Sequence, residues 1–233
     1  MQLRSLLLPV VLLVSVPALA QDAAARAGQI EVPDFRGVAV SHGIHAEVKP
    51  GSKSVRLEGN KDDLARVKLE VKDGVLTTQV ERTSTFFNKG LKDVRLYVTN
   101  PRVESVAASG GAQVDAEATR VDTFEVAASG GAELEISGMD SRKLEVAASG
   151  GSVLKLEGRA GELKVTGSGG SIIEAGKVQA ESLHVTASGG TRVEATPERS
   201  IQGVLSGGSM VKSSKKPASV QVNSSGGSQV QYE

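Results

Sequence analysis

Ser-Gly-Gly recurs seven times in this chain, as Ser109-Gly110-Gly111, Ser129-Gly130-Gly131, Ser149-Gly150-Gly151, Ser168-Gly169-Gly170, Ser188-Gly189-Gly190, Ser206-Gly207-Gly208 and Ser225-Gly226-Gly227. The serines stand 18 to 20 residues apart. A fixed period of this length marks a solenoid: one repeat is one coil, which cannot bury its own apolar face and stacks on its neighbours to do so. Glycine belongs at such a corner for two reasons. A sharp bend needs positive φ, and successive coils approach closely only where no Cβ intervenes.

Aligned on the serine, the copies become columns that alternate between two faces, as strands require. Three residues before it stand Val106, Val126, Val146, Val165, Val185, Gly203 and Val222, and five after it stand Val114, Leu134, Leu154, Ile173, Val193, Val211 and Val230. These two columns are expected to face the core. Each fully buried valine or leucine contributes roughly 1.5 to 3 kcal/mol, so two such columns supply most of the drive against chain entropy. Immediately before the serine and three residues after it the side chains are mostly Ala, Ser or Thr, so the coil is expected to be thin at the corner. Six residues after it stand Asp115, Glu135, Lys155, Glu174, Glu194, Lys212 and Gln231, a solvated face.

The fold class that follows is all-β, a parallel β-helix or β-solenoid of about seven coils of 18–20 residues, with right-handed winding favoured. Each coil is expected to hold a short strand, the Ser-Gly-Gly corner, a second short strand and a variable return carrying charge and proline. Strands about 4.8 Å apart would stack the coils over roughly 30 Å.

Before the repeats, residues 29–101 lack the period but remain strand-like, and they are expected to form a β-rich cap over the open end of residues 102–233. Gly37-Val38-Ala39-Val40 and Ile44-His45-Ala46-Glu47-Val48 read as strands around a turn at Ser41-His42-Gly43. Asp62 or Asp63 is expected to cap a single helical turn through Ala65. Lys72-Asp73-Gly74 carries the strongest hairpin signal in the chain. Thr83 to Lys92, with Phe86-Phe87, reads as a loop.

Residues 1–20 read as a cleavable export signal: Arg4 precedes an apolar run from Leu6 to Val16, and Ala18-Leu19-Ala20 ends in small residues. Residues 21–28 follow as a flexible N-terminus. The expected destination is the periplasm, the cell surface or the medium of a bacterium, with no membrane-spanning segment after cleavage. Cysteine is absent, which excludes disulfides, thiolate metal sites and a lipid-modified cysteine. Lys plus Arg and Asp plus Glu both number 27, a balance that argues against nucleic acid as a partner.

Beyond the repeat, the order of elements resembles a known family. Phe35-Arg36-Gly37-Val38-Ala39-Val40-Ser41, then Gly43-Ile44-His45-Ala46-Glu47-Val48, then Leu64 to Val71 with Lys72-Asp73-Gly74-Val75-Leu76, then Val94 to Val98 and the Ser-Gly-Gly repeats is similar to the head GIN domain family. Its members are labelled autotransporter adhesins and also a domain of unknown function. The resemblance spans roughly residues 30 to 233. It implies an envelope-associated β-helical protein with an adhesive role and brings no catalytic residues. The sequence stops at Tyr232-Glu233 without a translocator barrel, so self-sufficient autotransport is not expected.

No residue pattern calls for a cofactor or a metal. His42, His45 and His184 are the only histidines, and surface roles outweigh ligation for them. Calcium binding of the glycine-rich nonapeptide kind needs an aspartate after the glycines, where this chain has Ala, Ser or Thr. The stacked corner serines are expected to satisfy local backbone groups or solvent, with a sugar- or water-binding ladder as the lesser alternative. The expected function is a non-enzymatic binding or structural module whose partner is an envelope or surface polysaccharide or protein. A carbohydrate-active β-helix enzyme and an end-to-end polymerising scaffold are the alternatives. Pro217 to Tyr232 holds no charged residue, so the last coil is expected either to present an unprotected edge open to a partner or a second copy, with Lys212, Lys215 and Lys216 limiting aggregation nearby, or to fray as a quiet terminus.

Overall fold

Both central residues of every Ser-Gly-Gly-X corner have positive φ, as at Gly110 (58°) and Gly111 (74°), and the Ala112 N–H donates to the Ser109 carbonyl at 3.2 Å. That is a type I′ turn, whose geometry glycine enters without cost. The computed structural model describes residues 25–26, 28–81, 91 and 93–232. The proposed signal, residues 1–20, lies outside the described residues, as does the Thr83 to Lys92 loop apart from Leu91.

The chain is a β-solenoid, 63% strand and 2% helix. Parallel strands stack in register coil upon coil, with Val106, Val126 and Val146 level with one another and Val114, Leu134 and Leu154 likewise. Seven corners bound about six complete turns, so the expected count of about seven coils becomes about six full windings. The inward columns are where the alternation puts them: Val146 is 3% exposed, Leu154 and Ile173 0%. A further inward column, five residues before the serine, carries the larger side chains Phe124, Leu144, Leu163, Leu183 and Ile201. Gly203 breaks the valine column because a Cβ there would fall 1.8 Å from the Val185 carbonyl oxygen.

The return segments differ from expectation. In the middle of the stack they are strand throughout, giving uninterrupted runs at Glu133–Ala148, Val153–Gly167 and Ile172–Ala187. Coils of 20 and 19 residues still align because bulges absorb the extra residue, between Ile136 and Met139 opposite Leu156/Gly158, and between Glu174 and Lys177 opposite Lys155/Glu157. Gly138, at φ 70°, sits within the first of these. Irregular returns occur where the prolines Pro197 and Pro217 stand.

Residues 37–50 join the stack themselves. Gly37–Val40 pairs parallel with Ser105–Ala108, and His45–Pro50 pairs parallel with Gln113–Glu117. Their link, Ser41-His42-Gly43, repeats the corner with φ of 63° at His42 and 72° at Gly43. On the far side of this coil lie Val75–Val80 and Arg95–Asn100, also parallel to it. The chain therefore leaves the first coil, builds the one outside it, and passes back over it at Pro101 to begin the repeats. Antiparallel strands Ser54–Gly59 and Val67–Lys72 close that end, the latter through an Asp73-Gly74 hairpin with φ of 52° and 76°. The helical turn Lys61–Leu64 is capped by Asn60, whose Oδ1 accepts the Asp63 N–H at 2.9 Å, and not by Asp62 or Asp63, which occupy its first turn. Carboxylates there suit the helix N-terminus, but the residue before the turn is the one whose side chain can reach forward to accept a free N–H of the first turn.

Candidate binding face

Because positions one and three before the corner serine point inward, position two must point out, and there the side chains are small: Ala107, Ala127, Ala147, Thr166 and Thr186. They stack in register as the floor of a shallow groove that runs along the solenoid axis. One rim is the serine column, with Ser109, Ser129, Ser149 and Ser168 lining a volume of about 470 Å³. The other rim carries Glu125, Glu145 and Lys164 beside about 290 Å³. Spacings follow from the sheet: about 4.8 Å between coils and about 7 Å between the floor and serine columns.

The corner residues thus come together as one row along one side of the molecule. Among the described residues, no hydroxyl of the seven Ser-Gly-Gly serines bonds to a protein group, so of the two expected roles, local backbone or solvent, these hydroxyls take the solvent one. Hydroxyls three residues further on do that from inside. Ser152 Oγ donates to the Ala128 carbonyl at 3.3 Å, Thr191 Oγ1 to that of Ser188 at 2.8 Å, and Ser209 Oγ to that of Ser206 at 2.8 Å, all three side chains being 0% exposed. The corner serines are left to face solvent on the groove's rim.

Electrostatics on the rim are mutual. Glu145 accepts a hydrogen bond from Lys143, which holds its carboxyl below the usual carboxylate range, and Lys164 stands 4.0 Å away. Lys143 is pushed above its ordinary value by the same bond. The groove therefore pairs an apolar floor with hydroxyls on one side and compensated charges on the other.

A second groove, of about 360 Å³, lies beyond the corner on the next face and is lined by Glu135, Lys155, Glu157, Glu174, Lys177 and Glu194 among others. Lys155 is bonded to Glu133 at 3.2 Å, which raises its pKa, and Lys177 pairs with Glu157 at 3.6 Å. Glu194 packs over Gly176, where a Cβ would fall 2.8 Å from its carboxylate oxygen.

Of the histidines, His42 occupies the first coil's corner and bonds Ser41 Oγ through Nδ1 at 2.6 Å. His45 has both ring nitrogens engaged, Nδ1 with Gln113 at 3.1 Å and Nε2 with Asp115 at 3.2 Å. His184 stands in the outward column of Lys164. Among the described residues, no three His, Cys, Asp or Glu side chains gather as a metal site.

The floor column went unremarked in the sequence, although its signal was present. Exposed strand positions ordinarily carry charge, as Asp115, Glu135 and Lys155 do, and a run of alanines and threonines at an outward position departs from that.

Residues 34–217 match a family model described as "Putative auto-transporter adhesin, head GIN domain". Among solved structures, a putative adhesin from Bacteroides fragilis superposes with a TM-score of 0.81 at 19% identity, covering 88% of this chain and 95% of that one. A putative lipid binding protein from Parabacteroides distasonis gives a TM-score of 0.69 at 12% identity with the same coverage, 88% and 95%. A putative adhesin from Parabacteroides merdae gives 0.63 at 18%, again covering 88% and 95%. At these identities the likeness is one of fold. No curated protein matches the chain.

Proposed function

Since the chain belongs to the head GIN domain family, we propose that it is an exported, non-enzymatic adhesin-like module of the cell envelope that holds an extended polymer along its alanine-floored groove. The observation that carries this reading is the row of small outward side chains at Ala107, Ala127 and Ala147, flanked by unengaged serine hydroxyls. Small side chains leave room for a chain to lie close to the sheet, hydroxyls offer donors and acceptors at every coil, and a regular stack supplies the same contacts many times over. Export is supported by the signal-like residues 1–20, and no helix among the described residues is long and apolar enough to cross a membrane.

The partner is an envelope or surface polysaccharide or polypeptide. A ligand that repeats along its length matches a receptor that repeats along its own. The test is a screen of purified protein against polysaccharides, extended polypeptides and lipid vesicles, scoring retention and product release separately. Retention of a polymer without release supports the proposal. Release of shortened glycan would replace it with a hydrolase or lyase working from the carboxylate-lined second groove, and retention on vesicles alone would replace the polymer with lipid.

A further inference from the structure

The two ends of the solenoid are built differently. At the amino-terminal end the outer strands are Val67–Lys72 and, beside it, Ser54–Gly59 with Ala25–Arg26 along its far edge; Val67–Lys72 alternates Lys68, Glu70 and Lys72 with its apolar residues, and Lys68 is ion-paired to Glu81. Charges of this kind guard a free strand edge against pairing. At the other end the outermost strands are Ser219–Ser224 and Gln229–Tyr232, each paired on one side only among the described residues. No residue from Pro217 to Tyr232 is charged.

The core is also unfinished there. Ile201 and Val211 are 0% exposed, whereas Val220 and Val230, directly above them in register, are only half-buried, as is Val222. Tyr232, level with the fully buried Ser213 of the coil before, is 36% exposed at this end, with Lys216 over its ring.

We propose that this edge is the contact surface for a second copy of the same chain, joined tail to tail about a two-fold axis with Ser219–Ser224 of each copy running antiparallel to its counterpart. A two-fold contact sets a strand against itself, so residues meet identical or near-identical residues across the axis. Like charges in such positions repel. The last coil, with Gln221, Asn223, Gln229 and Gln231 facing outward, avoids this, and each of those amides is both donor and acceptor and so complements itself. The charged antiparallel cap at the opposite end does not match this edge, so head-to-tail growth into a filament is disfavoured and assembly stops at two. The contact is independent of what the groove binds.

Sedimentation of the full mature chain across a concentration series is the test, run beside the Gln221→Lys/Asn223→Lys double variant. Both substituted positions are exposed, so the fold survives, and an unchanged melting temperature verifies it. The expected result is a monomer–dimer equilibrium that ends at the dimer and is weakened roughly tenfold or more in the variant. Because the chain has no cysteine, either Gln221→Cys or Asn223→Cys, whichever lies nearer the two-fold axis, should give a disulfide-linked dimer on oxidation while Lys72→Cys should not. A strict monomer at every concentration, a variant that dimerises like the parent, growth past the dimer, or crosslinking through position 72 would each overturn the proposal.

Discussion

The backbone nitrogen of Gly130 lies 3.1 Å from the point at which a side chain on Gly150 would begin, whereas a side chain on the adjacent Gly151 would meet nothing within 4 Å. The same distinction holds along the stack, from 3.2 Å at Gly130 to 2.8 Å at Gly207. The first glycine of each corner is required by the coil below it and by its φ; the second by φ alone.

Asparagine, which tolerates positive φ, separates the two demands. Gly151→Asn should cost less than about 1 kcal/mol, while Gly150→Asn should cost on the order of 2 kcal/mol or more because the neighbouring coil must shift. Thermal denaturation of the pair checks this, and equal losses would contradict it. His42 holds the first position of the first coil's corner, where no Ser-Gly-Gly corner lies on the far side to meet its side chain.

Placing a carboxylate inside the valine column is a harsher perturbation. Val146→Asp should destabilise by more than about 4 kcal/mol, since Val146 is 3% exposed and, among the described residues, no Lys or Arg is buried in the interior. Glu135→Lys, on the solvated face, should stay within about 0.5 kcal/mol of the parent. Chemical denaturation midpoints decide between them.

One buried group runs the other way. Ser141 Oγ is buried without a hydrogen-bond partner, level with Ala160 and Ala180 on the coils that follow. Ser141→Ala should raise stability by about 1 kcal/mol, because the hydroxyl's desolvation is uncompensated. A lowered melting temperature would show that the hydroxyl has a partner after all.

The rim charges set a pH dependence whose sign is fixed. Glu145 titrates below its unfolded value, so its contribution is present above the ordinary carboxylate range and is lost as pH falls through the depressed value. Lys143 titrates above its unfolded value, so its contribution is present below that value and lost as pH rises through the raised one. Both side chains are partly exposed, so Lys143→Gln should leave the neutral-pH melting temperature nearly unchanged, flatten the acid limb set by Glu145 and remove Lys143's part of the alkaline limb. A large loss at neutral pH would show that surface pairs hold the coils together.

Much of the architecture was legible because it is periodic. The serine-aligned columns identify Val126, Leu134 and their equivalents as core, since an inward position tolerates little but aliphatics, and Asp73-Gly74 announces its hairpin by chemistry alone. What escaped the sequence depends on distant chain. Nothing local to Gly37–Val40 says that it lies between Val75–Val80 and Ser105–Ala108, because a parallel ladder is formed by residues far apart. The continuous strand at Glu133–Ala148 was hidden because its charged return resembles a loop until neighbouring coils pair with it. The groove was missed for a related reason: Ala127 is unremarkable alone and becomes a floor only when stacked between Ala107 and Ala147.

That groove is tested most directly by filling it. Ala127→Arg/Ala147→Arg places two long side chains on an exposed row where they displace nothing internal, so the coils should melt as the parent does. Retention of whichever polymer the parent captures should then be lost. Undiminished retention by a correctly folded variant would contradict the assignment of this face.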